Sequence, residues 1–378
     1  MRIPLSRPYL NEDLKRGVLA VLDSGYWTEG PVTREFEGLC REHIGCGHAL
    51  AVCNCSVGLE LALRALGIGP GDEVIVPDYT YPVTAGAVNI VGATAVLADV
   101  ERDTMLLDLD ALEAAITPRT KAIMPVSLFG LPLAYDRLDA LKNKHGLFVI
   151  EDAACAIGTG FRGRKTGNWA DVSAFSFYPR KFIATGEGGL VTTNRPDWAE
   201  WMESYKHFGM QTQTTREDTV FGMVGTNYKL SNILAAVGCA QMRVIGELLV
   251  RRRAQAAYYV ELLAGDDRIG IPRVVAGGEP SYQAFCVFVP DRDRVMREMR
   301  AGGIEVQVGS YALQMHPAFR PGPLCRHAGG LENSRWVYDH ALALPLYHDL
   351  TQAEQDEVVR QLRAVLSQES RHGDRPAQ

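Results

Sequence analysis

Two stretches of this 378-residue chain carry side chains able to do chemistry together. In VIEDAACAIG (149–158) an apolar run ends in adjacent carboxylates, Glu151 and Asp152. A carboxylate at the end of a buried strand is costly unless it meets a cation or a protonated nitrogen. A pyridinium nitrogen is one such partner, and the carboxylate keeps it protonated so that the ring can draw electrons. An N-cap for a following helix, or a plain salt bridge, accounts for this segment equally well. In AFSFYPRKFIATGEGGLVTT (174–193) two strand-like pieces, FSF and GLVTT, flank a single lysine, Lys181, and the turn TGEGG. A lysine enclosed in such a turn, with its pKa lowered, forms a Schiff base with a carbonyl. The glycines permit positive φ and close approach of the backbone to a ligand. Most lysines beside glycines are simply solvated. The specific signal is the pairing of Asp152 with FSF and a lysine 29 residues further on.

The elements that must position these residues alternate. VGLELALRALGI (57–68) has helical periodicity and stops at Gly-Pro-Gly, and DEVIVP (72–77) then reads as a strand. The alternation continues with TYPVTAGAVNIVG (80–92, helix), ATAVLADV (93–100, strand), LDLDALEAAI (107–116, helix) and TKAIMPV (120–126, strand). AYDRLDALKNKHG (134–146, helix) and LFVIEDA (147–153, strand) complete it. Such βαβ units imply an α/β fold with a mostly parallel sheet flanked by helices. Ligands gather at the carboxyl ends of such strands, where the connections here are DYTY, SLFG and EDAAC. From 230 to 265 one long helical pattern links a large domain, 1–240, to a smaller α+β C-terminal domain, 241–378. Its RRR run (251–253) reads as a solvated face. QAFCVFVP (283–290) reads as a strand, AEQDEVVRQLRAVLSQ (353–368) as a helix, and the tail ESRHGDRPAQ as a frayed polar end.

Composition narrows the function classes. Hydrophobic residues at 47% and charged residues at 22% are ordinary for a globular protein. A net charge of −6 supplies no basic excess for nucleic acid. No run approaches the ~20 apolar residues that span a bilayer, and MRIPLSRPYL lacks a signal-peptide pattern, so a soluble cytoplasmic protein is expected. The eight cysteines (40, 46, 53, 55, 155, 239, 286, 325) have no metal-site spacing, so free thiols and no metal are expected.

Seven ordered pieces resemble a known family across nearly the whole chain. They are SGYWTEGPVTREFE, GPGDEVIVPDYTY, TPRTKAIMPVSLFG, HGLFVIEDAACAIG, FSFYPRKFIATGEGG, GTNYKLSNILAAVGCAQ and LALPLYHDLT. They resemble the DegT/DnrJ/EryC1/StrS aminotransferases, fold-type I enzymes that use pyridoxal 5′-phosphate (PLP) and act mainly on nucleotide-linked keto-sugars. The resemblance implies that Lys181 is the Schiff-base lysine and proton shuttle and that Asp152 pairs with the pyridine nitrogen. It also implies that Tyr81 stacks on the ring and that Ser176 and the turn Asn54-Cys55-Ser56 hold the phosphate. Asn227 would reach the phosphate of a partner subunit, which makes a homodimer with shared active sites the expected assembly. Three positions depart from the pattern. Asn54-Cys55-Ser56 replaces Ser-Gly-Thr, putting a Cβ at 55 where the backbone should wrap the phosphate. Cys155 stands where a Gln or His approaches the cofactor, and Lys229 replaces a frequent Arg.

Lysine at 181, in place of the histidine of dehydrating members, favours amino transfer, with glutamate as the implied donor. For a nucleotide-sugar acceptor the candidate contacts are Arg7, Tyr26, Trp27, Lys165, Arg180, His207, Tyr311 and His316. The leading acceptor is C4 of a dTDP-4-keto-6-deoxyglucose, giving a 4-amino-4,6-dideoxy sugar. C3 amination and scyllo-inosose amination are rivals, and a catalytically silent PLP-binding sensor is the alternative of another class.

Overall fold

The computed structural model describes residues 3–212 and 217–368. The polar tail, 369–378, lies outside the described residues. Eight strands form the large sheet, in the spatial order His48–Val52, Gly189–Thr193, Val172–Ser176, Phe148–Asp152, Thr120–Ile123, Glu73–Pro77, Thr94–Ala98 and Cys325–His327. Gly189–Thr193 runs antiparallel to both its neighbours, and the other pairs are parallel.

Helices cover both faces, which is why the central strands read as unbroken apolar runs. Strand side chains alternate between faces. Val74 and Val76 pack under Cys55–Ala65 and Val83–Ile90, whereas Ile75 packs under Leu109–Ala115 and Tyr135–His145. Each such buried aliphatic side chain contributes about 1.5–3 kcal/mol. The helices Pro31–Ile44 and Asn232–Met242 close the second face near Phe175 and Leu190.

The pattern expected as one helix over 230–265 is two helices, Asn232–Met242 and Ile245–Leu263, bent by 64°. The break at Val244 (φ −116, ψ 12) contains neither glycine nor proline. Met242 and Ile245 on either side are both buried in one cluster with Phe177 and Phe182, so packing makes the bend. No single helix among the described residues is long and apolar enough to cross a membrane; only this bent pair reaches that length together. Beyond it, Phe285–Phe288, Ala341–Leu344 and Gln307–Val308 form a small antiparallel sheet. Its core is shared with Ile245–Leu263, Arg292–Ala301 and Gln352–Ser367. Cys325–His327 returns from this part of the chain to become the eighth strand of the large sheet.

The RRR run is not a solvated face. Arg252 is buried, donates to the carbonyl oxygens of Tyr282 (3.0 Å) and Gln283 (3.3 Å), and lies over the Phe182 ring. Arg253 is partly buried and donates to the carbonyls of Pro280 and Gly158. Three arginines in a row on a helix point 100° apart, so they cannot all share one exposed face.

Candidate active site

The loops that follow four strands leave the large sheet at one edge, because those strands run in the same direction. They hold Asn54, Tyr81, Cys155 and Lys181 after His48–Val52, Glu73–Pro77, Phe148–Asp152 and Val172–Ser176. Glu151 and Asp152 are consecutive strand residues and therefore face opposite sides of the sheet. Glu151 accepts from the hydroxyls of Ser127 (2.5 Å), Tyr135 and Ser173 (3.3 Å). It is fully buried and satisfied, and serves packing. Asp152 faces the side covered by Val83–Ile90, where it accepts from Thr84 Oγ1 (2.8 Å), and it also accepts from the Ala154 amide (3.2 Å). Thr84 is in turn bonded to Thr80 (2.9 Å), so a chain of hydroxyls fixes the carboxylate. Burial pushes the Asp152 carboxyl above its ordinary range, against the pull of Thr84, Ala154 and the Lys181 charge.

Lys181 Nζ donates to Cys155 Sγ at 3.1 Å. The pKa lowering expected for this lysine does not occur in the chain by itself. Burial alone would lower it, but Cys155, Asp152 and Cys55 outweigh burial and raise it. The loop around Lys181 is pinned by residues far from it in sequence. Gln241 brackets Ala184, accepting from its amide (3.1 Å) and donating to its carbonyl (2.6 Å). Phe182, next to Lys181, is buried beneath Arg252 and His348, and His348 Nε2 meets its carbonyl at 2.9 Å.

The turn at 54–56 opens the helix Cys55–Ala65. Asn54 caps it, its Oδ1 accepting from the Val57 amide at 3.0 Å. The Asn54 carbonyl group is thus spent on the helix, and an anion is left the first-turn amides, which have no acceptor within the helix. Ser56 is exposed, and Ser176 is half-buried at the end of its strand. The Cβ at 55 does not obstruct this cradle: Cys55 is buried in the core with its Sγ on the Ala174 carbonyl (3.6 Å). Of the glycines in TGEGG only Gly186 takes positive φ (97°). Gly189 is required by a close approach of another kind than expected. A Cβ there would stand 2.5 Å from the Asn54 carbonyl carbon and 2.7 Å from the Cys55 amide, so it is the chain's own phosphate turn that needs the space.

Tyr81 is 64% exposed, with its ring edge-on to Tyr311 (6.1 Å), which in turn meets His316 (5.7 Å). The stitching is backbone-deep: Tyr311–Ala312 pairs with Tyr79–Thr80, and buried Asp78 accepts from the Gln314 amide (2.7 Å) and the Ser334 hydroxyl. Arg180 reaches Gln307 of the small sheet at 2.7 Å. Arg7 lies over Tyr347, and Lys165 sits in the short strand Arg164–Lys165. Tyr26, Trp27, His207 and Asn227 form a separate group. The Asn232 amide and side chain bond the carbonyls of Trp27 and Tyr26, His207 meets Glu29 (2.9 Å), and His207 bridges to Asn227. Among the described residues none of these is bonded to Lys181, Asp152 or Ser176 of the same chain.

Sequence reasoning missed Thr84, Gln241, Arg252 and His348. Thr84 carried a faint signal, standing four residues after Thr80 at the start of a helix. The other three come from distant segments and had none.

Residues 8–363 match the model of the DegT/DnrJ/EryC1/StrS aminotransferase family. The chain belongs to that family. It is 37% identical over 372 residues to a GDP-perosamine synthase from Caulobacter vibrioides, covering 97% of this chain and 98% of that one. Among solved structures, S. venezuelae DesV in complex with a ketimine intermediate has a TM-score of 0.90 at 33% identity, covering 97% and 99% of the two chains. The PLP form of the sugar aminotransferase Spr1654 from Streptococcus pneumoniae has a TM-score of 0.91 at 28% identity, covering 97% and 98%. The protein is a PLP-dependent aminotransferase with the fold-type I architecture. Its residues fit that cofactor. A buried carboxylate short of positive charge, a single lysine beside it, and free helix-start amides with two serine hydroxyls match a protonated ring nitrogen, a carbonyl and a phosphate.

Proposed function

We propose that this enzyme transfers an amino group from glutamate to C4 of a nucleotide-linked 4-keto-6-deoxyhexose, working as a homodimer in the cytoplasm. The observation that carries the reading is the Lys181–Asp152 pair at the carboxyl edge of the sheet, held by Thr84 and Cys155. Bound PLP supplies a carbonyl to receive the amino group and an electron-withdrawing ring. Asp152, fixed by Thr84, holds the proton on the ring nitrogen. Lys181 Nζ carries the cofactor at rest and moves the proton at the reacting carbon in each half-reaction. Ser56, Ser176 and the amides of residues 55 and 56 hold the phosphate, and Tyr81 covers the ring face. Tyr311, His316 and Arg180 take the sugar side; His316 Nε2 is buried without a partner, as a group waiting for a hydroxyl would be.

The nucleotide is GDP in first place, because a relative of full length is named for GDP-perosamine, a 4-amino-4,6-dideoxy sugar. The dTDP-linked 4-keto-6-deoxyglucose is the second acceptor. Two observations support the dimer: Asn227 is exposed and bridges to His207, and Tyr26, Trp27, Phe208, Phe221 and Val224 are exposed apolar residues. Such a surface fits burial against a second copy, to which Tyr26, Trp27 and Asn227 would bring the missing contacts.

The test offers glutamate with GDP- and dTDP-linked 4-keto-6-deoxyhexoses and scores product mass and amine position. Amination at C4 of either sugar, faster with GDP, is the expected result. Amination at C3, or of scyllo-inosose alone, would overturn the proposal.

A further inference from the structure

Four consecutive residues, Asp78 to Tyr81, join the two sides of the site. On the cofactor side Thr80 is bonded to Thr84 (2.9 Å), which holds Asp152 (2.8 Å). On the other side Asp78 and Tyr79 hold the segment 310–314, which carries Tyr311 and leads into His316. The Tyr79 hydroxyl accepts from the Ser310 amide (2.7 Å), and Tyr311–Ala312 pairs with Tyr79–Thr80. Leu313–Met315 is a single helical turn, and the first amides of such a turn have no acceptor inside it. Asp78 supplies acceptors for two of them. Its carbonyl takes the Leu313 amide (2.9 Å) and its carboxylate takes the Gln314 amide (2.7 Å). The Leu313 carbonyl then accepts from the His316 amide (2.9 Å), which fixes the backbone of that residue.

Asp78 and Tyr79 are both 0% exposed, and burial pushes the Asp78 carboxyl up against the pull of Ser334 and the Gln314 amide. The carboxylate bonds go to that amide and to the Ser334 hydroxyl rather than to a cation. A buried carboxylate so placed is costly. What it secures is the place of the turn.

We propose that Asp78 is a positioning residue for the acceptor half of the reaction: by capping the Leu313–Met315 turn it sets where Tyr311 and His316 stand. Thr80 and Thr84 serve the cofactor side through separate bonds, so the two tasks share a peptide and can be separated by mutation. The proposal deepens the reading that Tyr311 and His316 take the sugar. Asp78→Asn keeps the whole network. Its amide oxygen still accepts from Gln314, its amide nitrogen donates to Ser334 Oγ, and the Ser334 proton goes to the Leu331 carbonyl, already 2.9 Å away. Asp78→Ala keeps none of the side-chain bonds.

The experiment has two arms on the PLP-loaded full chain. The first follows backbone hydrogen exchange by peptide mass without substrate. Peptides covering 310–316 should exchange about tenfold or more faster in Asp78→Ala, with those covering 148–152 unchanged. The second measures each half-reaction in single turnover. Reaction with glutamate should stay within about twofold of the parent, whereas amination of a GDP-linked 4-keto-6-deoxyhexose should slow about tenfold or more. Tyr79→Phe, which takes the acceptor from the Ser310 amide, should slow the same half-reaction by less. Asp78→Asn should recover most of both readings. Equal losses in the two half-reactions with a lower urea midpoint would make Asp78 merely structural and overturn the proposal. So would unchanged exchange at 310–316, or Asp78→Asn no better than Asp78→Ala. The exchange arm needs no acceptor, so the proposal and the sugar assignment fail on different readings, the latter on the parent's own turnover.

Discussion

Two lysines, one fully buried and one half-buried, invite comparison. Lys206 is 0% exposed, and its Nζ lies 3.1 Å from Glu203, 3.3 Å from Glu29 and 3.5 Å from Glu37, with the Ala51 carbonyl at 3.2 Å. Lys181 touches one thiol and lies near one carboxylate. Both have a raised pKa, burial being outweighed by their partners in each case. The difference is what the partners can do. The carboxylates around Lys206 lock a charge in place, and Glu29, Glu203 and His207 stand as a metal cage would, with the ammonium close by as the cation. Around Lys181 the partner is a cysteine sulfur, a weak acceptor, and the carboxylate is anchored elsewhere by Thr84. A lysine fit for covalent chemistry is under-paired, and a structural one is saturated.

The largest effect expected from this contrast is in turnover. Lys181→Ala should lower amino-transfer activity by about 10³-fold or more, with a urea midpoint no lower than the parent's. Lys206→Met should do the opposite. Leaving Glu29, Glu37 and Glu203 without their cation should cost about 3–5 kcal/mol in urea unfolding, while Lys181 still captures PLP. A stable Lys206→Met protein would erase the distinction between the two sites.

A smaller effect is in pH dependence. Burial pushes the Glu29 carboxyl up to about 7 from an ordinary 4.5, despite Lys206. A folded-state pKa above the unfolded one means that the folded state holds the proton more tightly. Stability from this group therefore falls as pH rises from about 4.5 through about 7. Glu29→Gln should flatten the urea midpoint across that window, and a slope as steep as the parent's would show that Glu29 does not carry the effect.

Legibility in the sequence followed the range of the interaction. The alternation between 57 and 153 matches the main strands and helices to within a few residues, because period and punctuation are local, but it missed the short strand Tyr79–Thr80 and the turn of helix at Leu128–Gly130. Asp152 was visible as the last residue of its strand, and Lys181 as the single lysine of the loop that follows Val172–Ser176. The bend at Val244 was not, since apolar residues continue on both sides and only packing with Phe177 and Phe182 chooses the turn. Arg252 looked solvated because nothing nearby in sequence reveals Phe182 beneath it. The lowered pKa expected of Lys181 failed for the same reason. Burial alone would lower it, and Cys155, 26 residues away in sequence and 3.1 Å away in space, leads the groups that outweigh burial. Gly189 was read as space for a ligand and is space for the chain itself.

The central claim is that Lys181, and not the fully buried Lys206, is the residue that binds the cofactor covalently. The direct measurement is to load the enzyme with PLP, reduce it with borohydride, and map the phosphopyridoxyl group by peptide mass spectrometry. The adduct should lie on the peptide containing Lys181, at close to one per chain, and be absent from the peptide containing Lys206. An adduct on Lys206 or another lysine, or none in a protein that has taken up PLP, would contradict the account.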